Sequence, residues 1–156
     1  MESTINIKLD FSGLQEVKKT CKELSKTVEV GILHNSEEAQ IGALQHFGGV
    51  GRYTYGPYEG QEVDVPPRPF LASAMEHFGK DILESEVHNI SFTDSSSART
   101  VLDRVGDKSR LVVQGEIDSI AAMGGNSPRT IETKGKDSPL IDKGNLRASI
   151  EYEVRK

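Results

Sequence analysis

Three prolines within four residues, Pro66, Pro67 and Pro69, constrain this chain more than any other feature. Each proline fixes its own φ, and each biases the residue before it away from the helical region. The backbone around Pro66, Pro67 and Pro69 must therefore run extended. Phe70 and Leu71 follow at once, so a rigid corner delivers two large apolar groups to a fixed place. The corner reads either as a plain linker turn or as a positioning device. In the second case Arg68 is free to make bidentate contacts to a carboxylate or to backbone carbonyls, within the chain or on a partner.

Hydrophobic spacing gives the elements around the corner. Ile5, Ile7 and Leu9 alternate with polar residues, the pattern of a half-buried strand. Ser12 and Gln15 form a capping-box signature, and Leu14, Val17, Cys21 and Leu24 then share one helical face. Val28, Val30 and Ile32 line one face of a short strand. Asn35 is placed to cap a second helix, with Ile41, Leu44 and Phe47 as its buried stripe and Gly48-Gly49 as its stop. Residues 48–64 read as a mobile segment, a long loop or an irregular hairpin. Its tyrosines, Tyr53, Tyr55 and Tyr58, have too little apolar material nearby to be buried locally.

After the corner, Phe70 or Leu71 opens a helix with Ala74, Phe78 and Ile82 on one side. A second long helix carries Ala98, Val101, Leu102, Val105, Val112, Ile117 and Ile120, and the breakers Gly124 to Pro128 end it. Residues 124–138 are expected to be a polar, mobile arm. Gly144 to Ser149 suits one or two helical turns, and Ile150, Tyr152 and Val154 alternate as a last strand able to pair with the earlier ones. The expected architecture is a single α+β domain over 1–156, with a small, mainly antiparallel sheet and helices on one face.

Only 35% of the residues are hydrophobic and none is Trp. A chain this polar should be elongated, carry mobile loops, or finish its burial against neighbouring subunits. The net charge of −5 argues against a nucleic-acid module, whose affinity needs clustered Lys and Arg. The single Cys21 rules out an intrachain disulfide and is expected to be a small core hydrophobe. The start, Met1-Glu2-Ser3-Thr4, lacks the pattern of a signal peptide, and no stretch approaches the roughly eighteen apolar residues of a membrane span. Together these features predict a soluble protein made in the cytoplasm.

Reactive chemistry finds little support. His34, His46, His77 and His88 are scattered, without a second ligand at metal-binding spacing. Gly48-Gly49-Val50-Gly51 follows a helix rather than preceding one, so it is not placed to cradle phosphate. No nucleophile motif occurs, Asp142 is read as capping the turn at Lys143-Gly144, and Asp81, Glu84, Glu86 and Asp94 as solvated. No cofactor or metal is called for. A small metal-dependent hydrolase using His34, His46 or His77 stands as the alternative of a different class, and a binding module of adaptor type as another.

Several segments then fall in a suggestive order. They are Val28-Glu29-Val30-Gly31-Ile32-Leu33, Ile41 through Gly49, Val65 through Leu71, Ser127-Pro128-Arg129-Thr130-Ile131, Lys134-Gly135, and Pro139 through Ile150. From Val28 onward the chain resembles the neck and tail-completion proteins of tailed bacteriophages, the virion-morphogenesis or tail-component families. It departs from their pattern at His46, where Glu or Asn is expected, and at Lys143, where Thr is common.

The resemblance implies a non-enzymatic virion protein that forms a homo-oligomeric ring at the head–tail junction, assembled in the host cytoplasm. Its implied partners are connector or adaptor proteins and a tail terminator or tail-tube protein, with DNA only passing through the lumen past acidic side chains. A terminator ring capping the tail tube is the alternative within this class. The candidate assembly contacts are Arg68, Phe70 and Leu71 at the corner, Tyr53, Tyr55 and Tyr58 in the loop, and Asp142, Leu146 and Arg147 near the end.

Overall fold

The computed structural model describes residues 12–34 and 36–156. The strand expected at Ile5, Ile7 and Leu9, and the cap expected at Asn35, lie outside the described residues. The elements are α1 (Ser12–Leu24), β1 (Thr27–Gly31), α2 (Glu37–Phe47), β2 (Gly49–Arg52), β3 (Glu62–Val65), α3 (Phe70–Val87), α4 (Ser95–Met123), α5 (Pro128–Lys134), α6 (Asn145–Ala148) and β4 (Glu151–Arg155). The class is α+β, as the spacing predicts. The strands form two antiparallel ribbons, β1 with β4 and β2 with β3.

Helix ends follow local chemistry. Ser36 caps α2 by accepting from the Ala39 N–H, and Asp94 caps α4 by accepting from Ser96. Asp and Ser do this because their short side chains reach the first unpaired amides of a helix. The polar arm expected over 124–138 carries α5 instead. Ser127 accepts from the Thr130 N–H, Pro128 sits in the first turn, and Gly135 closes the helix in the left-handed region at φ 70°. Each is a favoured residue for its position, and together they make a helix of a segment with no buried side chain.

Helix α4 is the spine. Its 29 residues span about 44 Å and serve two clusters. Val113 and Ile117 pack with Phe70, Ala74, Leu140, Leu146 and Ile150, while Val101 and Val105 pack with Ile82. Antiparallel β1 and β4 lie against α4, with Val28 opposite Val154 and Val30 opposite Tyr152. Gly106 lets the Tyr152 ring close on the helix: a Cβ there would sit 2.2 Å from a ring carbon.

Three helical faces and one acidic side chain differ from expectation. Thr20, not Cys21, is the buried residue of α1; Cys21 is exposed and Leu14 is 52% exposed. The inward face of α1 is thus turned toward Val17, Thr20 and Leu24, where it meets α4. In α2 the side turned to the core holds Gly42, whose missing side chain leaves room for Ile32 and Leu146. Ile41 and Phe47 are left outside, Phe47 at 77% exposure. In α3, Phe78 is exposed while Phe70, Ala74 and Ile82 are buried.

The fourth difference is Glu86, expected to be solvated but only 5% exposed. It pairs with Arg104 at 3.0 Å and Lys108 at 2.6 Å, both from α4. A carboxylate can be buried there because two cations arrive with it. The Lys108 hydrogen bond holds its carboxyl below the ordinary value of 4.5, against the opposing effect of burial, and Arg104 adds to the lowering. The folded state therefore binds fewer protons here than the unfolded chain as pH falls through the carboxylate range. Its contribution is complete above the unfolded value and is lost as pH drops through the lowered native one. Glu86→Gln is expected to flatten the loss of stability between about pH 5 and pH 3. Urea unfolding of both proteins across that range checks it; equal slopes would refute the assignment.

Candidate functional site

The proline corner, the β2–β3 hairpin, α5 and the loop leading to α6 meet on one side of α2. Gly48 makes the meeting possible. It ends α2 at φ 75°, and a Cβ there would lie 2.9 Å from both the Pro67 nitrogen and the Val65 oxygen. The corner is thereby pressed onto the end of α2, where the Arg68 N–H donates to the Gln45 carbonyl at 2.8 Å. Arg68 Nη1 also donates to Gln45 Oε1 at 3.1 Å. Burial lowers the basicity of this guanidinium, and the charge of Asp137 raises it in part.

Phe70 and Leu71 then enter the core. Phe70 is fully buried, and its ring meets His46 edge-on at 5.4 Å. The corner is a positioning device within the chain, so Phe70 is not a surface contact. Leu146 is likewise buried, at 6% exposure. Arg147 is anchored by two hydrogen bonds to Asp118 at 2.8 and 3.0 Å, and its carbonyl accepts from Gln114.

The three tyrosines dock onto groups distant in sequence. Tyr53 shares a hydrogen bond with Thr130 at 3.1 Å, Tyr58 donates to Glu132 at 2.6 Å, and Tyr55 donates to Asp142 at 2.8 Å. Arg129 lies over the Tyr58 ring at 5.3 Å. Desolvation and then Asp142 raise the Tyr55 phenol above its ordinary value, and Glu132 first raises that of Tyr58. Asp142, expected as a turn cap, instead accepts from Tyr55, while its backbone carbonyl accepts from Lys136. The turn before it is strained: Leu140 is buried in the left-handed region at φ 64°, an unfavourable setting for a side-chain-bearing residue.

Sequence reasoning missed Gln45 and Asp137, which organise this region. Asp137 accepts from the Gly125 and Asn126 amides at 3.0 and 2.8 Å, bonds that hold its carboxyl below the ordinary range. Those bonds cross α5, and no local motif announces a contact between residues so placed.

Among the described residues, three clefts open between these elements. One of about 260 Å³ is bordered by Glu37, Tyr55, Asp142 and Lys143, a second of about 220 Å³ by Ile41, Thr130 and Lys134, and a third of about 360 Å³ by Gln45, Tyr53, Arg68 and Asn126. Tyr55 and Asp142 are bonded to each other in the first, and Arg68 and Gln45 in the last. His34 meets Glu151, His46 packs on Phe47 and Phe70, and His77 lies against Phe78. Among the described residues no group of three or more His, Cys, Asp and Glu side chains is placed to hold a metal ion. No helix among them is long and apolar enough to cross a membrane. No family model, curated protein or solved structure matches the chain.

Proposed function

We propose that this chain is a structural, non-enzymatic subunit of a tailed-bacteriophage head–tail junction, a neck or tail-completion protein that closes into a ring and joins connector to tail. The observation that carries assembly is its surface. The chain exposes 10378 Å², whereas a compact monomer of this mass exposes about 7,800 Å². Allowing residues 1–11 the area of a fully extended chain, roughly 1,800 Å², leaves about 8,600 Å² for residues 12–156, which is about 1,200 Å² more than the roughly 7,400 Å² of a compact monomer of their mass. That excess is of the order a subunit buries at its interfaces, about 800 Å² for each contact of standard size. The ordered motifs from Val28 to Ile150 supply the phage setting.

A head-to-tail ring needs two different complementary patches on each subunit. Two sets of exposed apolar side chains lie on different elements. Phe47 and Val50, 77% and 63% exposed, flank the end of α2, while Phe78 and Leu111 border a shallow groove between α3 and α4. Phe47→Glu and Leu111→Glu are each expected to stop ring closure while leaving the monomer folded. Mixed together, the two variants should form dimers, because each keeps one intact patch. Mass measurement of the wild type, of each variant and of the mixture, alone and with connector and tail particles, checks this. A wild-type chain that stays monomeric and never joins those particles sinks the reading.

A further inference from the structure

Two half-buried cations face the clefts beside α5 without an anion to match them. Arg68 borders the cleft of about 360 Å³ and Lys134 the one of about 220 Å³, and Gln45, Tyr53, Asn126 and Thr130 are walls of both. Among the described residues neither cation forms an ion pair. The Arg68 guanidinium donates to the neutral Gln45 amide, and Lys134 Nζ donates to the Ser138 carbonyl at 2.6 Å. The carboxylates nearby are engaged elsewhere. Asp137 accepts from the Gly125 and Asn126 amides, and Asp142 accepts from the Tyr55 hydroxyl. The side-chain nitrogen of Asn126 is a further donor, buried without a hydrogen-bond partner. Burial lowers the basicity of both cations; for Lys134 the charge of Asp142 opposes this, while Lys136 and Arg68 add to it. Withdrawing a cation from water costs free energy that an anion ordinarily offsets, so buried charges are as a rule paired. Here donors are in excess and the acceptor is missing.

We propose that these adjoining clefts bind one carboxylate, gripped by the planar fork of Arg68 and neutralised further by Lys134. Gln45 suits this role, because it fixes the guanidinium in place without cancelling its charge. The fork presents two parallel N–H groups at the spacing of two carboxylate oxygens. The walls also select against more highly charged anions. Asp64 and Asp142 border the clefts, and the charge of Asp137 is felt by both cations. A single negative charge is balanced by Arg68 and Lys134, whereas a phosphate dianion or a nucleic-acid backbone meets added repulsion from these aspartates. The carboxylate comes either from a small organic acid or from an Asp or Glu side chain of a second copy of this chain.

Acetate is the probe, titrated into the isotope-labelled full chain at constant ionic strength against chloride. The Arg68 Nε–H and Asn126 side-chain amide signals should shift saturably with acetate and not with chloride. Lys134→Gln lies on a helix with no buried side chain and is expected to leave the fold intact. It should weaken acetate binding about tenfold or more, the factor for losing a charge-assisted hydrogen bond, and Arg68→Gln should do the same. Undiminished binding in both variants, an equal response to chloride, or tighter binding of inorganic phosphate than of acetate would each overturn the proposal. Dilution of the acetate-free wild type then identifies the source, and either result upholds the site. Signals that move with protein concentration, and no longer do so in Arg68→Gln, assign the carboxylate to a second copy; signals constant on dilution assign it to a small acid.

Discussion

Phe70→Ala is expected to cost about 3–5 kcal/mol of folding stability, the range for truncating a fully buried phenylalanine. That is a large share of the roughly 5–15 kcal/mol by which domains are stable, so the variant should be partly unfolded near physiological temperature. The size follows from position. Phe70 opens α3, lies in the cluster with Val113, Ile117 and Ile150, and carries His46 on its ring edge. Removing it loosens α3, α4, α2 and the end of the chain together. Phe70→Leu should cost much less, because most of the volume stays. Chemical denaturation of the three proteins checks the ranking; a Phe70→Ala loss under about 1 kcal/mol would show that the core does not depend on this ring.

The same burial decides how assembly at the corner should be probed. A defect in Phe70→Ala would report unfolding rather than a lost contact. Arg68 is the informative residue, because its guanidinium bonds to the Gln45 side chain at the edge of an open cleft.

Gly106→Ala is expected to destabilise by about 1–3 kcal/mol through overpacking. The added Cβ would lie 2.2 to 2.7 Å from three carbons of the Tyr152 ring, so the ring or the whole of β4 must move away from α4. Because β4 is the partner of β1, such a shift also disturbs the ribbon. The cause can be isolated with a double mutant. In a Tyr152→Ala background the alanine at 106 should be nearly neutral or mildly favourable, since the clash is gone and alanine is a better helix former than glycine. Equal penalties in both backgrounds would place the effect elsewhere than the ring.

Local features of this chain were readable from neighbouring residues alone. The breaks at 48–49, 66–69 and 124–128, the two long helices after the corner and the final strand all lie where spacing and turn chemistry put them. What misled was the choice of inward face. Ile41 and Phe47 look like a buried stripe beside Leu44, yet α2 turns Gly42 to the core because Leu146 and Ile32 already fill the space beside it. Cys21 and Thr20 are adjacent, so a small rotation of α1 exchanged one for the other. In the candidate site the residues were legible but their partners were not. Tyr53, Tyr55 and Tyr58 bond to groups 77, 87 and 74 residues away.

By itself, then, the sequence determined where the backbone must bend and where it must coil. Those outcomes depend on φ restrictions at proline, on capping and on periodicity, all settled within a few residues. Only the tertiary structure decided that the proline corner is an internal brace, with Phe70 in the core and Arg68 tied to Gln45. It alone decided that Glu86 is buried between Arg104 and Lys108, and that the expected arm carries a helix on which the tyrosines dock. Such outcomes follow from which distant groups arrive to satisfy a charge, a hydroxyl or an apolar face, and no local pattern encodes that arrival.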